Sequence, residues 1–156
     1  MKRFIKTTAV AGAIVLGAGA AAQAGEFDGF YLGLYGSGDF QTNPNTYGFG
    51  GNAGYMYEFT PGGYAGVEAD VYRPNGGPTT YMGVARMGYD FGTNFMPYAS
   101  VGAGADSNGT GKFLLGAGAE YAVGGGVGLR AGVDRYQDFN NGPADYVAKI
   151  GVNYRF

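Results

Sequence analysis

From Tyr146 to Phe156 the chain alternates with a period of two. Tyr146, Ala148, Ile150, Val152, Tyr154 and Phe156 are apolar or aromatic, while Lys149, Gly151, Asn153 and Arg155 are polar or glycine. A strand sends successive side chains to opposite faces, so this segment is predicted to be a strand with one greasy face and one wet face. The same alternation recurs upstream, cut by turn signals. Asn43-Pro44-Asn45, Asn75-Gly76-Gly77, Asn108-Gly109 and Asn141-Gly142 form one series, with lead asparagines 32, 33 and 33 residues apart. Pro61-Gly62-Gly63, Gly92-Thr93-Asn94 and Gly124-Gly125-Gly126 fall between them. Such clusters between alternating runs mark hairpin connections. Seven connections predict eight strands, near 29–40, 46–59, 64–73, 80–91, 95–106, 112–123, 127–138 and 145–156.

Parity sorts the side chains. One face carries Leu32, Leu34, Ala53, Val67, Ala69, Val71, Ala85, Val101, Leu115, Leu129 and Val133. The other carries Asn52, Glu58, Glu68, Asp70, Arg86, Asp90, Asp106, Lys112, Glu120, Arg130, Asp134, Lys149 and Arg155. A water-soluble barrel would turn the apolar face inward; a membrane barrel inverts that. Aromatics on the apolar face decide it. Phe30, Tyr55, Tyr57, Tyr89, Tyr121, Tyr154 and Phe156 fall at one end of the strands, and Phe49, Tyr81, Phe113 and Tyr146 at the other. Two aromatic girdles around an Ala/Val band are a membrane signature. Strands of about ten residues also suit a tilted span.

The amino terminus sets the compartment. Lys2, Arg3 and Lys6 precede an uncharged stretch from Ala9 to Ala22, and Ala22-Gln23-Ala24 reads as a cleavage site. Residues 1–24 are therefore expected to be a cleaved Sec-type signal peptide and residues 25–156 the mature barrel. Its removal leaves 10 − 3 = 7 Lys/Arg against 12 Asp/Glu, a balance of −5, which does not suit nucleic acid. With no Cys, an exported chain has no disulfide framework. Thirty-three Gly beside 14 + 11 = 25 Tyr and Phe is an unusual composition for a soluble globule.

Several segments carry a family resemblance: Asp28-Gly-Phe-Tyr-Leu-Gly-Leu-Tyr, Gly66-Val-Glu-Ala-Asp, Gly83-Val-Ala-Arg-Met-Gly-Tyr-Asp-Phe, Gly116-Ala-Gly-Ala-Glu-Tyr and Gly151-Val-Asn-Tyr-Arg-Phe. In this order and spacing the chain resembles the small eight-stranded, porin-like outer-membrane β-barrels. It is similar in architecture to outer membrane protein X and the amino-terminal barrel of outer membrane protein A. The resemblance implies an all-β, antiparallel, up-and-down transmembrane barrel in a Gram-negative outer membrane. It further implies that the aromatic ending, Tyr154 and Phe156, is read by the barrel-assembly machinery.

An eight-stranded barrel is narrow enough for side chains to fill, and buried charges must pair. Symmetry about the turns sets Glu68 opposite Arg86, Glu120 opposite Arg130, and Asp134 opposite Lys149. These three pairs are expected to plug the lumen. Inward glycines such as Gly102, Gly104, Gly116 and Gly118 leave room for that plug. Arg73 and Arg135 break parity, fall on the lipid side near the external end, and suit lipopolysaccharide phosphates.

The expected function is structural and non-enzymatic. The alternatives are a narrow pore for ions or small solutes, and a surface adhesin. Without His or Cys, neither a Ser-His nor a Cys-His arrangement can be assembled. Neither a cofactor nor a metal site is expected. The expected partners are outer-membrane lipid, lipopolysaccharide and the assembly machinery, with the barrel a monomer.

Overall fold

The computed structural model describes residues 26–39, 46–140 and 142–156. The expected signal peptide at 1–24, the turn at Asn43 and residue Asn141 lie outside them. The described residues form eight strands: β1 (Gly29–Asp39), β2 (Tyr47–Thr60), β3 (Gly63–Pro74), β4 (Thr80–Tyr89), β5 (Phe95–Asp106), β6 (Gly111–Gly124), β7 (Val127–Asp138) and β8 (Ala144–Arg155). Each pairs antiparallel with its neighbours in sequence, and β1 also pairs with β8. The sheet is thus a closed barrel with no free edge. Both described chain ends lie at one rim, here called lower. The connections at 75–79 and 107–110 lie at the upper rim, with the ends of β1 and β7 and the starts of β2 and β8.

The turns follow from their residues. Gly124, Gly125 and Gly126 have φ of 107°, 63° and 81°, a run of left-handed backbone that side-chain-bearing residues rarely adopt. Asn94 takes the same region at 58°. Two acids assigned to the inner face also serve turns. Asp90 Oδ1 accepts from Gly92 N at 3.0 Å, and Asp106 Oδ1 accepts from Asn108 N at 2.9 Å and Thr110 N at 3.0 Å. Short polar side chains do this at turns because they replace a missing backbone acceptor.

Alternation holds around the ring. Leu34, Val67, Leu115 and Ile150 stand exposed on the outer face, and so do aromatics of both girdles. The inner face is less purely polar than the parity of charges predicts. Tyr31, Tyr35, Tyr64, Tyr72, Tyr98 and Tyr136 are all buried inside, with Met56, Met82, Met96 and Leu114. Charges dominated the sequence pattern, but a narrow lumen also needs volume. Glycines supply the clearance. Gly54 lies directly across from Tyr31 and Gly118 across from Tyr98, and a Cβ on either would come within 2.5 Å of the facing hydroxyl. A Cβ on Gly116 would run into Asp134.

Candidate functional site: the charged interior

The lower half of the lumen holds a network built on Arg86 and Glu120, whose side chains are fully buried. Glu68 Oε2 lies 3.4 Å from Arg86 and 2.7 Å from Arg130. Glu120 lies 3.4 Å from Arg86 and 3.0 Å from Arg155, and accepts from Asn153 Nδ2 at 3.1 Å. Tyr31 donates to Glu68 at 2.7 Å while accepting from Arg86 at 3.2 Å. Tyr98 lies between two guanidinium groups: Arg86 is 4.0 Å and Arg130 5.1 Å from its ring centroid, and Arg130 Nε donates to its hydroxyl at 2.9 Å. Buried charges persist only when paired and hydrogen-bonded, and the faces of Tyr rings add stabilisation to a cation.

The upper layer is separate. Lys149 Nζ lies 2.9 Å from Asp134 and 3.6 Å from Asp70. Tyr35 donates to Asp70 at 2.9 Å. The ammonium also sits 4.4 Å from the Tyr35 ring centroid, 5.4 Å from that of Tyr136 and 5.7 Å from that of Tyr72. Above it, at the rim, Lys112 meets Asp138 at 2.6 Å.

The partners differ from those read off the turns. Glu68 faces Val84 rather than Arg86, and Asp134 faces Val147 rather than Lys149. Both ladders are displaced by two residues because the turns centre one residue earlier. The pairs still meet, since diagonal neighbours remain within reach of long side chains. Glu120 does face Arg130 in register. Yet Arg130 reaches across the lumen to Glu68, and Glu120 is taken by Arg86 and Arg155. Hairpin symmetry sees only adjacent strands, whereas a narrow closed barrel lets side chains meet across it. Asp70, Arg155, Asn153 and the tyrosines were therefore missed as partners, although parity had placed Asp70 and Arg155 inside.

A second missed feature lies below the network. Phe27, just ahead of β1, is fully buried among Tyr31, Met56, Tyr64, Met96 and Ala122. Its ring meets Tyr64 edge-on at 5.7 Å, and Arg155 donates to the Glu26 carbonyl at 3.2 Å. The segment folds back as a cork at the lower mouth. A lone Phe before the first alternating run carries no periodic signal, so sequence offers little to find it by.

The remaining candidates lie outside. Arg73 is exposed at the upper end of β3, and Arg135 is half-buried on β7. They stand four strands apart in a ring of eight, on opposite flanks of the barrel. Tyr154 and Phe156 meet edge-on at 5.1 Å on the lower outer rim, and Phe156 N donates to the Phe30 carbonyl at 2.9 Å. Among the described residues no group of three or more His, Cys, Asp or Glu is arranged to hold a metal ion.

Residues 8–156 match the family model described as "Outer membrane protein beta-barrel domain". The chain belongs to this outer membrane β-barrel family. The apolar outer band therefore faces lipid and the charged layers face the lumen. No curated protein sequence matches the chain. Among solved structures it is similar to a de novo designed transmembrane β-barrel, at 22% identity and TM-score 0.59, covering 81% of this chain and 95% of that one. It is also similar to Neisserial surface protein A, at 18% and 0.51, covering 81% and 97%. The amino-terminal β-barrel domain of Pseudomonas aeruginosa OprF matches at 19% and 0.55, covering 81% and 96%. These likenesses establish the fold alone. A designed barrel among them illustrates why function must be argued from the interior and the rims.

Proposed function

We propose that the protein is a structural outer-membrane barrel with a sealed lumen, occupying and bracing the membrane without catalysis or steady conduction. The observation that carries this is the lower network, in which Arg86 and Glu120 have no solvent-exposed side-chain surface and their neighbours are tied to one another across the barrel. A water path would have to part several charge-assisted hydrogen bonds at once, each worth about 1.5–3 kcal/mol. Phe27 below and the Lys149 layer above add further barriers in series. Liposome swelling with small sugars and amino acids tests the reading. Swelling no faster than in protein-free vesicles supports it; rates that fall with solute size would establish the pore alternative.

In this reading the lower rim is periplasmic, and Tyr154 and Phe156 meet the barrel-assembly machinery during insertion. The barrel is a monomer among lipopolysaccharide, with Arg73 and Arg135 towards the external headgroups. Light scattering of the refolded protein in detergent checks the monomer, and a dimer mass would contradict it. Among the described residues the upper connections at 75–79 and 107–110 are short and leave little chain beyond the rim, which argues against an adhesive surface.

A further inference from the structure

The two outward arginines have different surroundings. Arg135 is half-buried, with Leu115 and Tyr146 directly opposite it on the two neighbouring strands. Arg73 has only Phe49 across from it, because the pairing of β3 with β4 ends at Tyr72. It is exposed, and among the described residues it has no carboxylate partner. A hollow of about 210 Å³ opens around it at the rim. The next outward positions down β2 and β3 are Gly51 and Val71, which line a larger apolar hollow of about 720 Å³ with Leu34 on its far side. That one adjoins a third, of about 540 Å³, sharing Leu32, Ala53 and Ala69 with it. The floor of these hollows is low where the outward positions are Gly51, Ala53, Ala69 and Ala85, walled by Leu32, Leu34, Val67 and Val71. The two apolar hollows together follow β3 from Val71 to Val67, about 13 Å at 3.3–3.4 Å per residue, beginning two residues below Arg73.

We infer that this flank is a docking groove for one lipopolysaccharide molecule, its lipid A phosphate held by Arg73 and one acyl chain laid over Ala53 and Ala69. The inference deepens the lipopolysaccharide contact proposed above and rests on the same outer-membrane reading. Charge complementarity selects the occupant. A planar guanidinium without an acidic partner, at the external headgroup level, matches a phosphate with two donors. Buried apolar contact along the groove then distinguishes a bound lipid from a passing counterion. Arg135 is half-buried between Leu115 and Tyr146, so it contributes to surface potential but does not hold a lipid in place.

Native mass spectrometry of the refolded barrel, released from detergent containing lipid A, measures this. The expected result is one retained lipid A per barrel. Arg73→Ala and the groove-filling Ala69→Phe should each weaken retention about tenfold, the loss of one charge-assisted contact or its apolar equivalent. Arg135→Ala should leave it unchanged. A heat-modifiable band on unboiled gels verifies that each variant is folded. Equal retention by wild type and Arg73→Ala, or equal loss with Arg135→Ala, would overturn the inference. Equal retention of phosphatidylglycerol would show a general phosphate-lipid site and overturn the choice of lipopolysaccharide. Failure of the groove alone leaves the band on gels and the insertion into vesicles intact; failure of the outer-membrane reading removes both.

Discussion

The two charged layers of the lumen solve the same problem differently. The lower layer has three arginines and two glutamates, 3 − 2 = +1, and the upper has one lysine and two aspartates, 1 − 2 = −1. Each layer alone carries an unbalanced charge in a confined space; stacked, they cancel. The lower layer uses planar guanidinium forks that each touch several acceptors, and its central side chains are fully buried. The upper layer uses a single compact ammonium among three tyrosine rings, and it has no ion pair as fully buried as Arg86–Glu120. Arginine suits a multi-partner buried node because its donors are fixed in a plane, while the compact ammonium of lysine suits a cage of ring faces and two carboxylates. The lower layer is therefore the seal and the upper one its electrostatic counterweight.

That contrast can be broken most strongly at Glu120. Glu120→Gln leaves Arg86 and Arg155 under-compensated in a dry site, and should lower unfolding free energy by about 3–5 kcal/mol. Urea unfolding in detergent micelles measures it, and a loss below that of any upper-layer change would reverse the ranking. Next comes Lys149→Met, which leaves Asp70 and Asp134 facing each other without a cation. A loss of roughly 1–3 kcal/mol is expected, partly recovered by adding Asp134→Leu, because removing both partners also removes the stranded charge. Strict additivity in the double-mutant cycle would show that the pair is not coupled. Gly118→Val is expected to cost about 1–3 kcal/mol by pushing Tyr98 off its two arginines. Far-ultraviolet dichroism should stay β-rich while the melting transition moves down; an unchanged transition would mean the ring has other room. The smallest equilibrium effect belongs to Phe156→Ala, which removes one edge-to-face contact with Tyr154 worth about 0.5–1.5 kcal/mol. Its larger consequence is kinetic: insertion by the assembly machinery in reconstituted vesicles should slow, and an unaltered rate would free Phe156 of that role.

The architecture was legible because closure and alternation are repeated signals. Asn-Gly and Gly-Gly turns recur near every 33 residues, and each intervening run separates Val and Ala from Glu and Arg by parity. The end of a strand, such as Tyr89 against the expected 91, depends on a local turn in which Asp90 Oδ1 accepts from Gly92 N and Thr93 N, and such a turn carries no periodic signal. The interior was legible in content but not in wiring. Glu68, Arg86, Glu120, Arg130, Asp134 and Lys149 are all inward, yet pairing rules for adjacent strands could not show Arg130 crossing the lumen to Glu68. Nor could they show Tyr98 between two guanidinium groups or Phe27 folding up beneath the network, since none of these contacts follows a period. On the outside, parity marked Arg73 and Arg135 alike. Only the three-dimensional surface separates a free arginine above a shallow groove from a half-buried one between Leu115 and Tyr146.

The central claim is that the Arg86–Glu120 layer seals the barrel. Single-channel recording of the refolded protein in a planar bilayer tests it most directly, with wild type and Glu120→Gln recorded side by side. The account predicts a silent wild type and intermittent openings in the variant, whose network has lost its central anion. Stable unitary conductance from the wild-type barrel, unchanged by Glu120→Gln, would contradict it.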